Sequence, residues 1–285
     1  MKILVTGAKG QLGYDCVREL KERGFRNVIG IDIDDLDLTN EQSVKNYLLK
    51  VKPDVILHNA AWTSVDLAEK HETEVRKINV DAVRYIASIA NLIGAKLVYI
   101  STDYVFPGTG EQFFEVYDEK GPLNVYGKSK LDGEKAALLC KKTYVIRISW
   151  VFGLNGNNFI KTMLKLGKTH NELSIVSDQI GSPTYTYDLS KLICDMISTD
   201  KYGIYHATNE GICSWAEFAE EIFKLANLDV KVTHISTKEY LRNKPEQAVR
   251  PLNSRLSKKS LDDAGFDRLP TWQNALKRFL KEYTL

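Results

Sequence analysis

Residues 2–13 read KILVTGAKGQLG: a short apolar run, then glycines at positions 7, 10 and 13, then the start of an amphipathic stretch. A glycine triplet at this spacing meets three needs at once. It allows a tight turn, close approach of backbone to a pyrophosphate, and close packing of a helix on a strand, with the phosphates at the helix N-terminus. The triplet alone would also fit a plain strand-ending turn. Here it lies between a predicted strand and a predicted helix, and a second apolar run, VIGID (28–32), ends in Asp32. An acidic residue about 20 places on is the expected partner of a ribose hydroxyl. Gly7, Gly10, Gly13 and Asp32 are therefore read as a dinucleotide cradle.

The pattern continues outward from that turn. VILHNAA (55–61), LVYIST (97–102) and YVIRIS (144–149) are β-rich and not strictly alternating, as buried parallel strands are. Amphipathic stretches at 11–23, 40–51, 72–93 and 129–140 separate them, and Thr39 with Gln42 fits a capping box for the second. Such alternation implies right-handed crossovers and an α/β, Rossmann-type doubly wound parallel sheet. Beyond about Gly153 the rhythm loosens. A helix at 157–167, short strands over 173–184, a helix at 188–198 and a strand at 204–207 are expected. Ser214 and Glu217 form a further capping box, and a final helix starts near Thr271. The division that follows is a cofactor domain over 1–152 together with 184–208, and a smaller mixed α/β substrate lobe over 153–183 and 209–285.

Bulk properties fit one large α/β unit or two units sharing an interface. The chain has 285 residues, 44% of them hydrophobic and 27% charged, with a net charge of +2. Basic residues are dispersed among acidic ones, so nothing suggests nucleic acid or an acidic membrane as partner. Cys16, Cys140, Cys194 and Cys213 are scattered and read as free thiols in a reducing, cytoplasmic setting. The five histidines show no metal-ligand spacing, and no apolar run approaches a membrane span.

Catalytic candidates begin with YGKSK (126–130), a tyrosine with a lysine four residues later. Roughly 1 to 2 such pairs are expected by chance, and the chain has three: Tyr126/Lys130, Tyr187/Lys191 and Tyr240/Lys244. Setting separates them. Tyr126 follows Pro122 at a loop-to-helix transition, and the preceding strand ends at Ser101-Thr102, the carboxyl edge where ligands of open α/β sheets bind. The other two pairs are expected to face solvent. A phenol of pKa about 10 is a poor acid near neutrality, and an adjacent ammonium would lower it. Tyr126, Lys130 and Thr102 together suit proton transfer to a carbonyl oxygen during hydride transfer. Asp32 favours NADH by repelling a 2′-phosphate, whereas Lys9 and Arg26 keep NADPH open. Asp37-Leu38 fits an adenine contact, with Leu38 equally a core residue.

TGAKGQLG, HNAAWTSVDLAE, STDYVFPG, PLNVYGKSKLDGE, RISWVFG, GNNFIKTML, DQIGSPTYT and RPLNSRL occur in that order. In this combination the chain resembles the extended short-chain dehydrogenase/reductases, and within them the dTDP-4-dehydrorhamnose reductases, along nearly its whole length. The resemblance implies reduction of the 4-keto group of dTDP-4-dehydro-β-L-rhamnose by NADPH or NADH. By matching motif, Tyr126 is the proton donor, Lys130 its partner and Thr102 the residue that tunes it. The resemblance also implies that Thr102, Asp103 and Trp150 contact substrate, and that Gly10, Gln11, Leu12, Asp32, Asp37, Leu38, Ala60, Ala61 and Trp62 line the cofactor. Trp150 also reads as a core aromatic. Arg250 and Arg255 either pair with the nucleotide diphosphate or lie solvated at the surface. Some members are described as dimers joined by a carboxylate-bound Mg²⁺. Asp15 matches one such ligand, but Tyr187 stands where another would be, so a monomer or a homodimer without that metal is expected.

Three rivals share features with this reading. A 4,6-dehydratase needs a glutamate after Thr102-Asp103, where this chain has Tyr104. Another nucleotide-sugar reductase or an epimerase keeps the same pair. An NADP-binding regulatory subunit resembling the methionine adenosyltransferase β subunit has less need of an intact Thr102/Tyr126/Lys130 set.

Overall fold

A computed structural model describes residues 1–242, 244 and 246–283. The first half alternates as read: β1 (Lys2–Thr6), α1 (Gln11–Glu22), β2 (Asn27–Ile31), α2 (Glu41–Val51), β3 (Val55–His58) and a short α3 (Val65–Ala68). Then come α4 (Glu72–Arg76), α5 (Ala82–Ile93), β4 (Lys96–Thr102), α6 (Val125–Ala137) and β5 (Thr143–Ile148). Alternate residues of each strand enter opposite layers, which is why the strands are apolar throughout. Ile3, Val5, Val55 and Leu57 join one core, and Leu4, Ile56, Leu97 and Val145 join the other.

The second half holds β6 (Val151–Phe152), α7 (Phe159–Gly167), β7 (Glu172–Val176), β8 (Ile180–Gly181), β9 (Thr184–Tyr185), α8 (Thr186–Ile197) and β10 (Gly203–His206). It continues through β11 (Asn209–Glu210), β12 (Cys213–Ser214), α9 (Trp215–Leu225), β13 (Lys231–Ile235) and α10 (Thr237–Leu241). β14 (Asn253–Ser254), α11 (Lys259–Ala264), β15 (Leu269–Thr271) and α12 (Trp272–Tyr283) complete the fold. The main sheet is parallel, in the order β10-β5-β4-β3-β1-β2. Its direction of winding reverses between β1 and β3, the switch point at which such sheets open a crevice. Phe152, Phe218, Phe223, Trp272 and Phe279 belong to a separate hydrophobic cluster drawn mostly from the second half of the chain. Among the described residues no helix is long and apolar enough to cross a membrane.

Four local readings change. α2 is capped by Asn40, whose side chain accepts from the Ser43 N–H at 3.0 Å, because Asp37 accepts both the Thr39 amide and its hydroxyl. The helix expected over 72–93 is interrupted by a π-helical turn, Lys77–Asp81. α6 starts at Val125 on an Asn124 cap, so Tyr126 lies within its first turn, not ahead of it. Tyr187 and Tyr240 are half-buried, not solvent-facing: Tyr187 donates to Glu22 at 3.1 Å, and the Lys244 ammonium sits 3.7 Å from the Tyr240 ring centroid.

Candidate active site

The glycine turn has the shape its sequence implies. Gly7 takes φ +64°, and a Cβ there would lie 2.8 Å from the Ala60 N. A Cβ on Gly13 would lie 2.0 Å from the Gly7 carbonyl oxygen, so the helix can approach the turn only without a side chain. Gly10 is the N-cap of α1 and brings no capping side chain. The first-turn N–H groups therefore face the crevice, together with the positive end of the helix dipole. These features fit a bound pyrophosphate.

Asp32 directly follows β2 beside this turn, accepting from the Lys9 N–H and the Ile33 N–H at 2.9 Å each. The Lys9 ammonium is paired to Asp34 at 2.5 Å. Asp37 is bound to Thr39, and Leu38 packs partly against the core under α2. The Ala60–Trp62 segment follows β3 and is clamped from the π turn. Asn79, 1% exposed, accepts from the Trp62 N–H at 2.8 Å and donates to the Trp62 carbonyl at 3.1 Å. It also donates to Ser129 Oγ at 2.9 Å, tying the cofactor side of the crevice to α6. Sequence periodicity missed Asn79, because the extra residue of a π turn rotates the helix face locally.

At the carboxyl end of β4, Thr102, Asp103, Tyr126 and Lys130 come together. Asp103 is 2% exposed; it accepts from Thr102 Oγ1 at 2.9 Å and from Ser254 Oγ at 2.5 Å. Burial pushes its carboxyl up to about 6 against those two bonds. Lys130, 3% exposed, donates to the Ile100 carbonyl at 2.6 Å and lies 4.3 Å from the Tyr99 ring centroid. Burial pushes the Lys130 ammonium down to about 7, with Glu134 one turn on opposing it. Burial likewise raises the Tyr126 phenol above its ordinary range, and the hydrogen bond with Thr102 draws it back only in part. The expected lowering of Tyr126 by Lys130 is thus absent from this geometry, since the ammonium is directed at Ile100. Tyr104 packs edge-on against Tyr126, with centroids 5.5 Å apart.

Trp150 takes φ +49° just after β5 and stacks on Trp215 at 3.8 Å between centroids. It is half-buried and borders Gly181, where an added Cβ would meet both Trp150 and Ser254 at 2.9 Å. Trp150 therefore stands on the Ser254 side of the site. The arginines are engaged elsewhere: Arg250 donates to Asp66 at 2.8 Å and Arg255 to Asn253 at 3.0 Å. A separate concavity of about 1080 Å³, lined by α7, the end of α9 and α12, is ringed by lysines, among them Lys161, Lys165 and Lys277. It contains none of the predicted site residues, which gather at the β4–α6 junction instead.

The family model described as "RmlD substrate binding domain" matches residues 1–285. The spore coat polysaccharide biosynthesis protein SpsK of Bacillus subtilis is 43% identical over 282 residues, covering 99% of this chain and 97% of that protein. A dTDP-4-dehydrorhamnose reductase of Aggregatibacter actinomycetemcomitans is 40% identical over 290 residues, with 97% of each covered. The crystal structure of the Bacillus anthracis dTDP-4-dehydrorhamnose reductase in complex with NADP superposes with a TM-score of 0.94 at 42% identity, covering 99% of this chain and 100% of that one.

Proposed function

Because the chain belongs to the RmlD substrate binding domain family, we propose that it acts as a dTDP-4-dehydrorhamnose reductase whose proton donor is Tyr126. The reaction reduces the 4-keto group of dTDP-4-dehydro-β-L-rhamnose to the alcohol of dTDP-L-rhamnose. The observation that carries the residue roles is the meeting of Thr102, Asp103, Tyr126 and Lys130 beside a glycine cradle that only a backbone without Cβ atoms can form.

NADPH or NADH, when bound, supplies the hydride. Gly7, Gly10, Gln11, Leu12 and Gly13 would hold its pyrophosphate, Asp32 with Asp37-Leu38 its adenosine, and Ala60–Trp62 its nicotinamide half. Tyr126 keeps its proton at neutral pH because burial raises the phenol, and a donor to a developing alkoxide must start protonated. Thr102 orients that phenol. Lys130 fixes the helix edge against Ile100 and stands ready for the nicotinamide ribose. Asp103 and Trp150 would flank the sugar. Arg250 and Arg255 would reach the diphosphate only by exchanging their present partners, Asp66 and Asn253.

On this reading residues 1–152 with 184–208 serve the cofactor, and 153–183 with 209–285 serve the substrate; Asn243, Pro245, Thr284 and Leu285 lie outside the described residues. Four buried, unpaired cysteines support a cytoplasmic site of action. The test is direct. Purified protein mixed with dTDP-4-dehydrorhamnose should consume NADPH or NADH absorbance, and Tyr126→Phe should cut kcat by about 10²–10⁴. No consumption of either cofactor would overturn the reductase reading, and a Tyr126→Phe enzyme at full rate would overturn the donor.

A further inference from the structure

We propose that Trp215 is a positioning residue for the nucleotide sugar, holding the Trp150 indole against the sugar side of the site. The inference rests on the reading in which Trp150 flanks the sugar, and it adds how that ring is kept there. Trp150 takes φ +49°, a left-handed backbone that bulky side chains rarely adopt. Such a conformation persists only where the surroundings over-determine it, and it clusters where a site needs a fixed group. Backbone and ring are both fixed here. The Trp150 carbonyl accepts from the Thr184 N–H at 3.1 Å, and the indole stacks on Trp215 with centroids 3.8 Å apart and planes 13° from parallel.

Trp215 is itself held from two directions. Its indole N–H donates to Gln179 Oε1 at 3.2 Å, and Phe159 packs on its ring with centroids 4.6 Å apart. Gln179 is 6% exposed, and its amide nitrogen donates to Thr237 Oγ1 at 3.0 Å, which leaves its oxygen turned to the indole. A separation of 3.8 Å is nearer a face-to-face sandwich than the offset or edge-on pairs that ring quadrupoles favour. The surroundings therefore impose the stack, and it is not a chance meeting of two rings.

One small sheet brings these groups to the site together. Its strand order is β12-β8-β14: β12 leads directly into Trp215, β8 carries Gly181 and β14 carries Ser254. A Cβ on Gly181 would lie 2.9 Å from Trp150 Cε2 and equally close to Ser254 Cβ. Ser254 Oγ in turn donates to Asp103 Oδ2 at 2.5 Å, at the end of β4. The indole is thus confined by Trp215 across its face and by Gly181 where its two rings join. Turning Trp150 out of this pose requires Trp215 to yield first. An apolar wall fixed in this way orients the sugar by shape before hydride transfer. The cofactor cradle lies apart, at the β1–α1 turn, so the effect falls on the sugar.

A double-mutant cycle on steady-state KM, with circular dichroism of the same proteins, tests this. Two indoles stacked so closely give an exciton couplet in the far ultraviolet, expected in the wild type and absent from Trp150→Phe and Trp215→Phe. Trp215→Ala should raise the KM for dTDP-4-dehydrorhamnose about 10-fold while the KM for NADPH stays within about twofold. Trp215→Phe, which keeps a flat ring against Trp150, should restore the sugar KM. Gln179→Leu keeps both indoles but removes the bond that orients one, so the couplet should weaken and the sugar KM rise about 3-fold. Because Trp215 acts through Trp150, Trp150→Ala/Trp215→Ala should be no worse than Trp150→Ala alone. Costs that add in the double variant mean that Trp215 touches the sugar itself, and overturn the positioning role. A Trp215→Ala enzyme with an unchanged sugar KM overturns it too, as does one whose NADPH KM rises equally, the mark of a merely structural role. A wild type without the couplet overturns the stack. Trp150→Ala with an unchanged sugar KM overturns the placing of Trp150 beside the sugar, and leaves the reductase reading standing. A wild type that reduces no nucleotide sugar overturns that reading and the use of the ring with it.

Discussion

Lys130 carries a long cationic side chain at 3% exposure, and the fold bears a cost for it. Burial holds its ammonium down to about 7 in the folded protein, against an ordinary value near 10.5 once unfolded. Between those values the unfolded chain binds the extra proton, so stability rises with pH across the window; below pH 7 the whole penalty is present. A neutral side chain of similar length escapes it. Lys130→Met should therefore melt above the wild type, by about 5 °C at pH 6.5. The gap should shrink as pH climbs through 7 toward 10 and vanish beyond. Thermal melts of both proteins from pH 6 to 9.5 check this, and a gap that is constant or grows with pH contradicts it. The same variant loses the site's cation, so reductase activity should fall as stability rises. That exchange is the expected signature of a residue kept for chemistry, not for folding.

Helix α6 presents Tyr126 and Lys130, and its position depends on a pair one turn further on. Glu134 takes two bonds from Arg147 on β5, at 2.8 Å each, and a third from Ser101 at 2.5 Å. Arg147 also donates to the Val116 carbonyl at 2.7 Å, so helix, two strands and the loop after β4 share one buried charge pair. Removing one partner leaves the other charge buried and alone. Glu134→Leu should cost about 3–5 kcal/mol in chemical denaturation. The double variant Glu134→Leu/Arg147→Met should recover much of that loss, since well-packed apolar groups often replace a buried pair with little penalty. A double variant no more stable than the single would show that the pair is not what anchors α6. This network was not legible in the sequence, because it joins positions on three elements and no local pattern marks a buried arginine. The cradle was legible: Gly7, Gly10 and Gly13 act within a dozen residues of chain. Tyr126 and Lys130 were legible because helix spacing and a strand end lie close by. Asn79 needed a π turn that only tertiary packing imposes. Asn40 won its cap from Thr39 because Asp37 had already taken the Thr39 hydroxyl.

Across the whole molecule, the smaller lobe is not simply appended to the sheet. The chain leaves the sheet after β5, returns through α8 to lay β10 against β5, and leaves again. It then passes Ser254 back over the site while Asn253 donates to the Gln112 carbonyl at 2.8 Å and Phe114 donates to the Arg255 carbonyl at 2.9 Å. That return crossing is why the Ser254 contact could not be read from sequence, although the RPLNSRL motif around it could. The same folding back settles where Asp15 lies. It is 0% exposed between α1 and α8, with Thr186 Oγ1 donating to one oxygen, and burial pushes its carboxyl up to about 6. A carboxylate so enclosed is a poor bridging ligand, since a divalent cation shared between subunits needs oxygens presented at the surface. Tyr187, beside it in the fold, spends its hydroxyl on Glu22. Association of this chain should accordingly be indifferent to magnesium. Sedimentation velocity in excess EDTA and in millimolar Mg²⁺ should give the same coefficient over a range of protein concentrations. If EDTA instead dissociates a dimer that Mg²⁺ restores, Asp15 must leave its pocket on assembly, and its bond with Thr186 must break.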